Sequence, residues 1–375
     1  MKLLTIIGAR PQIIKAAALS RAISNHFASV VEEHILHTGQ HYDENMSAIF
    51  FNELGIPHPQ YNLGVGSGLH GEQTAKMIGG IEQTLMSDHY DGLVIYGDTN
   101  STLAGAVAAS KLHIPVFHIE AGLRSYNMSM PEEGNRIVAD HLASICFAPT
   151  QTAVENLSKE GLTDSAALFA NGHKRLVVNS GDVMYDNSLY FAAIAEKQST
   201  ILQQHNLQDN GYILATIHRD YNTDSPQRLT NILKALADIH SQSHQPVVLP
   251  LHPRTRAKLR QLPQLETLLD SFTIIPPAGF LDITLLERHA NIVMTDSGGV
   301  QKEAFFFEKP CVILRSETEW VEIINHGAGI VADADYDKIC QAHLSLAGKS
   351  VHFPQLFGDG HAAEQIVQNI LNYLR

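Results

Sequence analysis

The feature that most constrains the fold is a series of short apolar runs that repeats along almost the whole chain. The runs are rich in Val, Ile and Leu and do not alternate with polar residues, which is typical of parallel strands buried on both faces. The segments between them are long enough for crossover helices, so the sequence predicts an α/β fold with two doubly wound, Rossmann-like units. The predicted strands are residues 3–8, 34–38, 93–97, 116–120, 145–148, 168–170, 212–217, 247–251, 272–275, 292–295, 311–314 and 330–332.

Two units also agree with the length, because 375 residues are more than one hydrophobic core usually serves. We expect the boundary near residues 175–190, where Gly172 and a turn at Gly181 precede a helical stretch and a polar segment. Residues 361–374 carry Ile366, Ile370 and Leu374 on one face and are predicted to form an amphipathic helix.

The composition excludes several classes of protein. There are 39 Asp and Glu residues against 26 Lys and Arg, and the net charge of −13 argues against coating nucleic acid or an anionic membrane. The 3 cysteines form no CxxC pair, so we expect reduced core thiols and not a disulfide framework. No leader pattern or membrane-length apolar stretch is seen, and we expect a cytoplasmic protein.

The residues that follow the predicted strands are the candidates for function, because open α/β sheets bind ligands beyond the carboxyl ends of their strands. After the first strand, Arg10 and Lys15 fall near a helix N-terminus, where anions are favoured. An ordinary surface Arg and Lys would look the same. The segment is not a GxGxxG fingerprint, so NAD binding loses support.

Carboxylates follow later strands of the first half. Asp98 precedes hydroxyl residues at a helix start, so it is either an N-cap or a carboxylate that faces a ligand. Glu120 directly ends a buried strand, where capping is a poor explanation, and we favour a functional role. Glu132 and Arg136 share one helical face and would suit a surface ion pair. The clustering of carboxylates at strand ends weakens that simpler explanation.

Two further patterns concern metal and phosphate. His37 and His41 lie four residues apart, but Gly39 would break the helix that a metal pair needs, so we predict a polar loop that faces a ligand and no metal site. In the second half, the turn at residues 297–299 follows a strand and opens a helix, which suits a diphosphate. Glu303 lies further along that helix and could bind ribose hydroxyls.

With these residues in view, the chain resembles the non-hydrolysing UDP-N-acetylglucosamine 2-epimerase family. The motifs that carry the resemblance are GARPQxxK, GDTNST, HIEAGLRS, PEEGNR, HR, HPRT and TDSGGVQKEA, in order from residue 3 to about residue 325. The resemblance implies a glycosyltransferase-B type fold with two Rossmann-like domains facing a cleft, and a homodimer without metal or nicotinamide cofactor. It places residues 1–175 and a returning C-terminal helix, 356–375, in a domain with the catalytic carboxylates, and 176–355 in a UDP-binding domain.

The resemblance also implies a reaction, the interconversion of UDP-N-acetylglucosamine and UDP-N-acetylmannosamine. A base removes the C2 proton while UDP leaves, and UDP then adds back with a proton delivered to the opposite face. Family positions with catalytic roles match Asp98, Glu120, Glu132, Arg136 and His218. Family positions that bind the UDP-sugar match Arg10, Lys15, His218, Ser297, Gly298, Gly299 and Glu303.

The sequence departs from the common family pattern at three places. GARPQ replaces GTRPE, Tyr42 and Asp43 follow Gln40-His41, and Trp320 stands where many members have a cation. These variants look more like the branch acting on UDP-2,3-diacetamido-2,3-dideoxyglucuronate, which is therefore an alternative substrate. A hydrolysing epimerase and a glycosyltransferase are other enzyme alternatives. A catalytically inactive nucleotide-sugar binding protein is disfavoured because the catalytic positions are retained.

Overall fold

The computed structural model describes residues 1–40, 56–164, 172, 174–251, 253–259 and 263–375, and the chain forms two compact units. The first unit is Met1–Asn187 with Gln355–Arg375, and the second is Ser188–Pro354. The strand Leu176–Asn179 pairs with Ile145–Ala148 and belongs to the first unit. The predicted strand at 168–170 lies outside the described residues.

The first unit contains a parallel sheet of seven strands in the order β3-β2-β1-β4-β5-β6-β7. The order reverses between β1 and β4, and ligands bind at such a switch point in this class of sheet. The strands are β1 Lys2–Ile7, β2 Glu32–His37, β3 Tyr61–Asn62, β4 Gly92–Tyr96, β5 Val116–Ile119, β6 Ile145–Ala148 and β7 Leu176–Asn179. The described helices are α1 Arg10–Ala22, extended by a π-helical turn Ile23–Phe27, then α2 His70–Ser87, α3 Asn100–Lys111, α4 Pro131–Leu142 and α5 Gln151–Lys159.

The second unit repeats this arrangement with six parallel strands in the order β10-β9-β8-β11-β12-β13. Its switch point lies between β8 and β11, which are in register from Ile292 opposite Ile213 to Thr295 opposite Thr216. The strands are β8 Ile213–Thr216, β9 Val247–Pro250, β10 Thr273–Ile275, β11 Ile292–Thr295, β12 Cys311–Ile313 and β13 Gly329–Val331.

A long helix, α6 Val183–Gln198, runs from the first unit into the second. The later helices are α7 Ile201–Gln204, α8 Asp220–Thr223, α9 Pro226–Ser243, α10 Pro253–Leu259, α11 Pro263–Leu269, α12 Phe280–His289, α13 Gly298–Phe306, α14 Val321–Asn325, α15 Tyr336–Leu346 and α16 Ala362–Leu374. In the part of the chain that the structure describes, every helix is too short or too polar to cross a lipid bilayer.

Burial of the strands follows the apolar runs in the sequence. Every residue of β4, β5, β6 and β11 is buried, as expected for parallel strands covered on both faces. Full burial of a Val, Leu or Ile side chain stabilises the fold by about 1.5–3 kcal/mol, so these runs supply much of the driving force. The predicted α/β class is confirmed.

The junction after β1 is tightly packed. A Cβ atom on Gly8 would lie 2.0 Å from Ser101 Oγ and 2.2 Å from Thr38 Oγ1. These two hydroxyls are 2.8 Å apart and hydrogen-bonded to each other. Glycine is therefore required at position 8 because the ends of three elements meet there and leave no room for a side chain.

Gln12, in the first turn of α1, ties the same junction together. Its Oε1 accepts hydrogen bonds from Gly8 N at 2.9 Å and Ala9 N at 3.2 Å. Its Nε2 donates to Tyr96 O at 2.9 Å and Thr102 Oγ1 at 3.0 Å. A glutamate could not make the last two bonds, since an ionised carboxylate has no donor. Both the oxygen and the nitrogen of the Gln12 amide, the Gln of the GARPQ motif, are therefore hydrogen-bonded.

The substitution Gln12→Leu should lower the free energy of unfolding by about 1–3 kcal/mol, because it leaves buried backbone groups without partners. Urea unfolding followed by circular dichroism measures the change. Gln368, exposed on α16, gives a matched control, and Gln368→Leu should stay within about 0.5 kcal/mol of the parent. Equal effects of the two substitutions would show that the four bonds of Gln12 add no stability.

A buried carboxylate of α6 caps the C-terminal helix. Asp186 accepts hydrogen bonds from Ala362 N at 3.1 Å and Ala363 N at 2.8 Å, in the first turn of α16. Burial raises the pKa of Asp186 to about 6, against an ordinary value of 3.8, although the two backbone hydrogen bonds oppose the rise. The folded protein therefore binds this proton more tightly than the unfolded chain does.

This raised pKa predicts a pH-dependent stability. Between about pH 4 and pH 6 the unfolded chain has released the proton that the folded chain keeps, so this group's contribution falls by about 3 kcal/mol as the pH rises. The neutral variant Asp186→Asn should lack that loss. Its stability relative to the parent should therefore increase from pH 4.5 to pH 7 in urea unfolding, and a pH-independent difference would contradict the prediction.

Candidate active site

Polar side chains gather at the carboxyl ends of the strands next to the switch point of each sheet. In the first unit they follow β1, β4 and β5, and in the second they follow β8 and β11.

Glu120 comes directly after β5 and has a left-handed backbone, with φ of +67°. This conformation is uncommon for a residue other than glycine and is concentrated at functional sites. The Glu120 carboxylate forms an ion pair with the ammonium of Lys15 on α1. A Cβ on Gly97 would lie 3.2 Å from Glu120 Oε2 and also from Lys15 Nζ, so this pair lies against the backbone just before Asp98.

Asp98 is not a helix cap. Thr99 is the N-cap of α3, and its hydroxyl accepts a hydrogen bond from Thr102 N at 3.4 Å. The Asp98 carboxylate instead forms an ion pair with Arg136 of α4. The carboxylate is therefore part of the polar group at the strand ends, and the capping explanation for Asp98 is wrong.

A pocket of about 270 Å³ brings Asp98 and Glu132 together. The volume is close to the lower end of the range for small-molecule sites. The other lining residues are Ala9, Gln40, Ser67, Gly68, His70, Gln73, Thr99, Asn100, Pro131 and Asn135. Asn135 of α4 donates to Asp98 O at 2.9 Å, and this hydrogen bond connects α4 to the backbone of Asp98.

The neighbouring residues Glu132 and Glu133 differ sharply. Glu132 is exposed at the pocket, whereas Glu133 is buried and accepts hydrogen bonds from Ser125 N at 3.0 Å, Tyr126 N at 2.9 Å and Arg136 Nη1 at 3.0 Å. Burial alone would raise the pKa of Glu133, but hydrogen bonds from Ser125 and Tyr126 outweigh it and hold the pKa below its usual range. Arg136 thus pairs with Glu133 and Asp98. Glu133 was not among the predicted site residues, because nothing in its sequence context separates it from Glu132.

Arg10 and Lys15 both lie on α1, where the sequence analysis placed them. Arg10 is the first residue of the helix and is exposed, and Lys15 is half-buried beside Glu120. The structure therefore adds a role for Lys15, which is to balance the charge of a carboxylate. Binding of substrate by either residue remains a prediction.

In the second unit, His218 follows β8 and is held by a buried carboxylate. Asp296, which ends β11, accepts from His218 N at 3.1 Å, Arg219 N at 3.1 Å and Asn222 Nδ2 at 3.0 Å. The His218 ring also contacts this carboxylate, with Nδ1 3.1 Å from Asp296 Oδ1, and the His218 side chain is 53% exposed. Burial alone would raise the pKa of Asp296, but the hydrogen bonds from His218 and Asn222 hold it below its usual range.

Asp296 is a functional candidate that the sequence analysis passed over. The argument that selected Glu120, an acidic residue directly after a buried strand, applies equally to Asp296. The contact between Asp296 Oδ1 and His218 Nδ1 fixes the orientation of the His218 ring. The opposite edge of the ring is left for other partners.

Ser297, Gly298 and Gly299 form the N-terminus of α13, as predicted. Ser297 is the N-cap, and its hydroxyl accepts from Val300 N at 3.5 Å. The first amide groups of a helix have no partner within the helix and favour anions. Glu303 lies on the next turn and is half-buried. Its charge adds to burial in raising the pKa of Glu287 on α12.

Trp320 stabilises the turn at residues 297–299 by a hydrogen bond. Its indole Nε1 donates to Gly298 O at 3.0 Å, and the Lys302 ammonium lies 4.1 Å from its ring centroid. Arg315 and Glu319 form a two-point ion pair beside Gly298, with both N–O distances 3.0 Å. Position 320 thus holds an aromatic ring that contacts a cation of α13, Lys302.

In the described part of the chain, no three His, Cys, Asp or Glu side chains are grouped so that they could hold a metal ion.

Comparison with known proteins relates this geometry to a family. The model of the UDP-N-acetylglucosamine 2-epimerase family matches residues 24–371. The UDP-2,3-diacetamido-2,3-dideoxy-D-glucuronate 2-epimerase of Pseudomonas aeruginosa is 48% identical over 370 residues, covering 98% of this chain and 99% of that protein. The UDP-N-acetylglucosamine 2-epimerase of Methanocaldococcus jannaschii is 41% identical over 377 residues, covering 100% and 99%.

A solved structure of the Methanocaldococcus jannaschii enzyme, in complex with UDP-N-acetylglucosamine and UDP, superimposes with a TM-score of 0.80 at 40% identity, covering 99% of this chain and 100% of that one. This likeness confirms the predicted class of two Rossmann-like, glycosyltransferase-B type domains. A family model that spans most of the chain, together with relatives aligned from end to end, establishes that this protein belongs to the UDP-N-acetylglucosamine 2-epimerase family.

Proposed function

We propose that the protein is a non-hydrolysing 2-epimerase that inverts C2 of a UDP-linked 2-acetamido sugar by elimination and re-addition of UDP. The observation that carries the proposal is the group of three carboxylates at one sheet edge, Asp98, Glu120 and Glu132, two of them paired with Arg136 and Lys15. A transferase would need no such set of proton-transfer groups.

The chemistry requires proton transfer at both faces of C2. A carboxylate removes the C2 proton, the anomeric C–O bond breaks, and the electron pair of that bond leaves with UDP. A second carboxylic acid returns a proton to the opposite face when UDP adds back, and general acid–base groups of this kind typically contribute 10²–10⁴-fold to rate. Arg136 and Lys15 each place a positive charge against one of the three carboxylates, Asp98 and Glu120 respectively.

The departing diphosphate requires positive charge and N–H donors. We assign this role to the start of α13 at residues 297–299 and to His218, whose ring Asp296 orients. Donors that meet a developing charge each contribute about 3–4 kcal/mol of transition-state stabilisation. Arg10 and Lys15 at the start of α1 are proposed to add to the binding of the UDP-sugar, and Glu303 to bind the ribose.

Two substrates are candidates. We favour UDP-2,3-diacetamido-2,3-dideoxyglucuronate because the Pseudomonas aeruginosa relative, 48% identical, is named for it. UDP-N-acetylglucosamine, with UDP-N-acetylmannosamine as product, is the second candidate, supported by the 41% identical Methanocaldococcus jannaschii relative. We also propose that the protein acts as a homodimer in the cytoplasm, on the strength of the family resemblance.

Incubation with each UDP-sugar in heavy water, followed by NMR, tests the reaction and the substrate together. We expect deuterium at C2 and the appearance of the C2 epimer with UDP still attached, at a higher kcat/KM for the diacetamido glucuronate. Release of free sugar would identify a hydrolysing epimerase. Absence of exchange with both sugars would refute the proposal.

Glu120→Gln should lower the rate of C2 exchange by at least about 100-fold, because the amide can neither accept nor return a proton at neutral pH. Binding of UDP, measured by calorimetry, should persist. Glu155→Gln, the same change at an exposed position on α5, is the control and should leave the rate unchanged. Exchange by the Glu120 variant within a few-fold of the parent rate would remove Glu120 from the mechanism.

A further inference from the structure

Behind Glu120 lies a buried network of charged residues that the proposed mechanism does not use. His118 and Asp140 are completely buried, and the Arg124 side chain is 1% exposed. Glu160 closes the network by a two-point ion pair with Arg124, at 2.7 and 2.8 Å. Three of these side chains are removed from water and Glu160 is partly exposed, and burial of charged groups is tolerated only when they are paired.

His118 connects this network to the residue before Asp98. Its Nε2 lies 2.8 Å from Gly97 O, and its Nδ1 lies 2.7 Å from Asp140 Oδ1. A backbone carbonyl can only accept, so Nε2 carries a hydrogen. A second hydrogen bond joins Nδ1 to Asp140. His118 therefore bridges Asp140 and the β4 end of the site through both ring nitrogens.

Asp140 connects the network to the turn that holds Glu120. Its Oδ2 accepts from Gly122 N at 3.1 Å and pairs with Arg124 Nη1 at 2.7 Å. His118 and Arg124 stand on either side of Glu120 in the sequence, and both contact the same carboxylate. The chain between them is thus closed into a loop, with Glu120 at φ of +67° and Gly122 at φ of +80°.

The charges within the network support an ionised Asp140. Burial alone would raise the pKa of Asp140, but the charges and hydrogen bonds of His118 and Arg124 outweigh it and lower the pKa. The turn is also closely packed, because a Cβ atom on Gly122 would lie 2.4 Å from Ala153 O. One carboxylate therefore holds a strained turn on one side and, through His118, a strand end on the other.

We propose that Asp140 is a positioning residue for the epimerase reaction, which sets Glu120 and Asp98 relative to each other through His118 and the turn at residues 121–124. This inference rests on the proposed function. Asp140 touches no substrate, and its role is to hold two carboxylates at the spacing that proton transfer at C2 requires. Small misplacements of reacting groups are known to cost about 100-fold in rate.

Kinetics of Asp140→Ala and Asp140→Asn test the inference. We expect Asp140→Ala to lower kcat by about 100-fold with KM changed by less than about 3-fold, because positioning affects the reacting groups and not the diphosphate contacts. Asp140→Asn can still accept from Gly122 N and should recover at least about 10-fold of that loss. An alanine variant with the kcat of the parent, or an asparagine variant as slow as the alanine variant, would overturn the inference.

Glu33→Ala is the matched control for loss of stability. Glu33 is a half-buried carboxylate of the first unit that accepts hydrogen bonds from Thr5 Oγ1 and Ser20 Oγ at 2.6 Å each, and it has no part in the proposed site. We expect it to lower the melting temperature while kcat stays within about 3-fold of the parent. An equal loss of kcat at an equal loss of melting temperature would reduce Asp140 to a structural residue and overturn the inference.

Two further measurements keep the inference testable if Asp140→Ala does not fold. His118→Gln should lower kcat by at least about 10-fold at unchanged KM, and full activity would count against the inference. NMR of the ¹⁵N-histidine-labelled parent should show a hydrogen-bonded ring Nε2–H that is missing from His118→Gln, and absence of that signal from the parent would overturn the inference without reference to activity. A parent chain inactive on both UDP-sugars would instead overturn the proposed function.

Discussion

Parallel strands buried on both faces can place polar side chains only where the strands end, and the chemistry of this protein depends on that constraint. Every residue of β4 and β5 is buried, so the first positions with room for a carboxylate are just after them. Asp98 and Glu120 take those positions. Lys15 of α1 pairs with Glu120, and Arg136 of α4 pairs with Asp98. These positive charges offset the repulsion between the two carboxylates.

The sequence predicted the strands well because burial on both faces leaves a strong pattern. Of the predicted runs, only 168–170 lies outside the described residues, and the others coincide with observed strands within one or two residues. Two strands were missed. Tyr61–Asn62 is a short edge strand that carries no apolar run, and Leu176–Asn179 is partly exposed at the opposite edge. Edge strands bury less surface, so the signal on which the prediction depends is weak there.

Only some of the site residues could be predicted, because a sequence shows which residue types are available and not what they contact. Glu120 stood out as a carboxylate after a buried strand, but Asp296 fits the same description and was not selected, because the prediction there concerned the turn that follows it at residues 297–299. Glu132 and Glu133 are indistinguishable in sequence, and only their burial separates a pocket residue from a structural one. The contact between the Lys302 ammonium and the Trp320 ring likewise became visible only in the structure.

The C-terminal helix has a consequence for how the protein is made. Helix α16 packs against α1 and is capped by Asp186, so the first unit is completed by residues 355–375. On the ribosome those residues appear only after the whole second unit has been synthesised. During that interval the apolar face of α1 that α16 covers has no partner from its own unit, and it is open to chaperones or to aggregation. The second unit can fold first, although it is second in the chain.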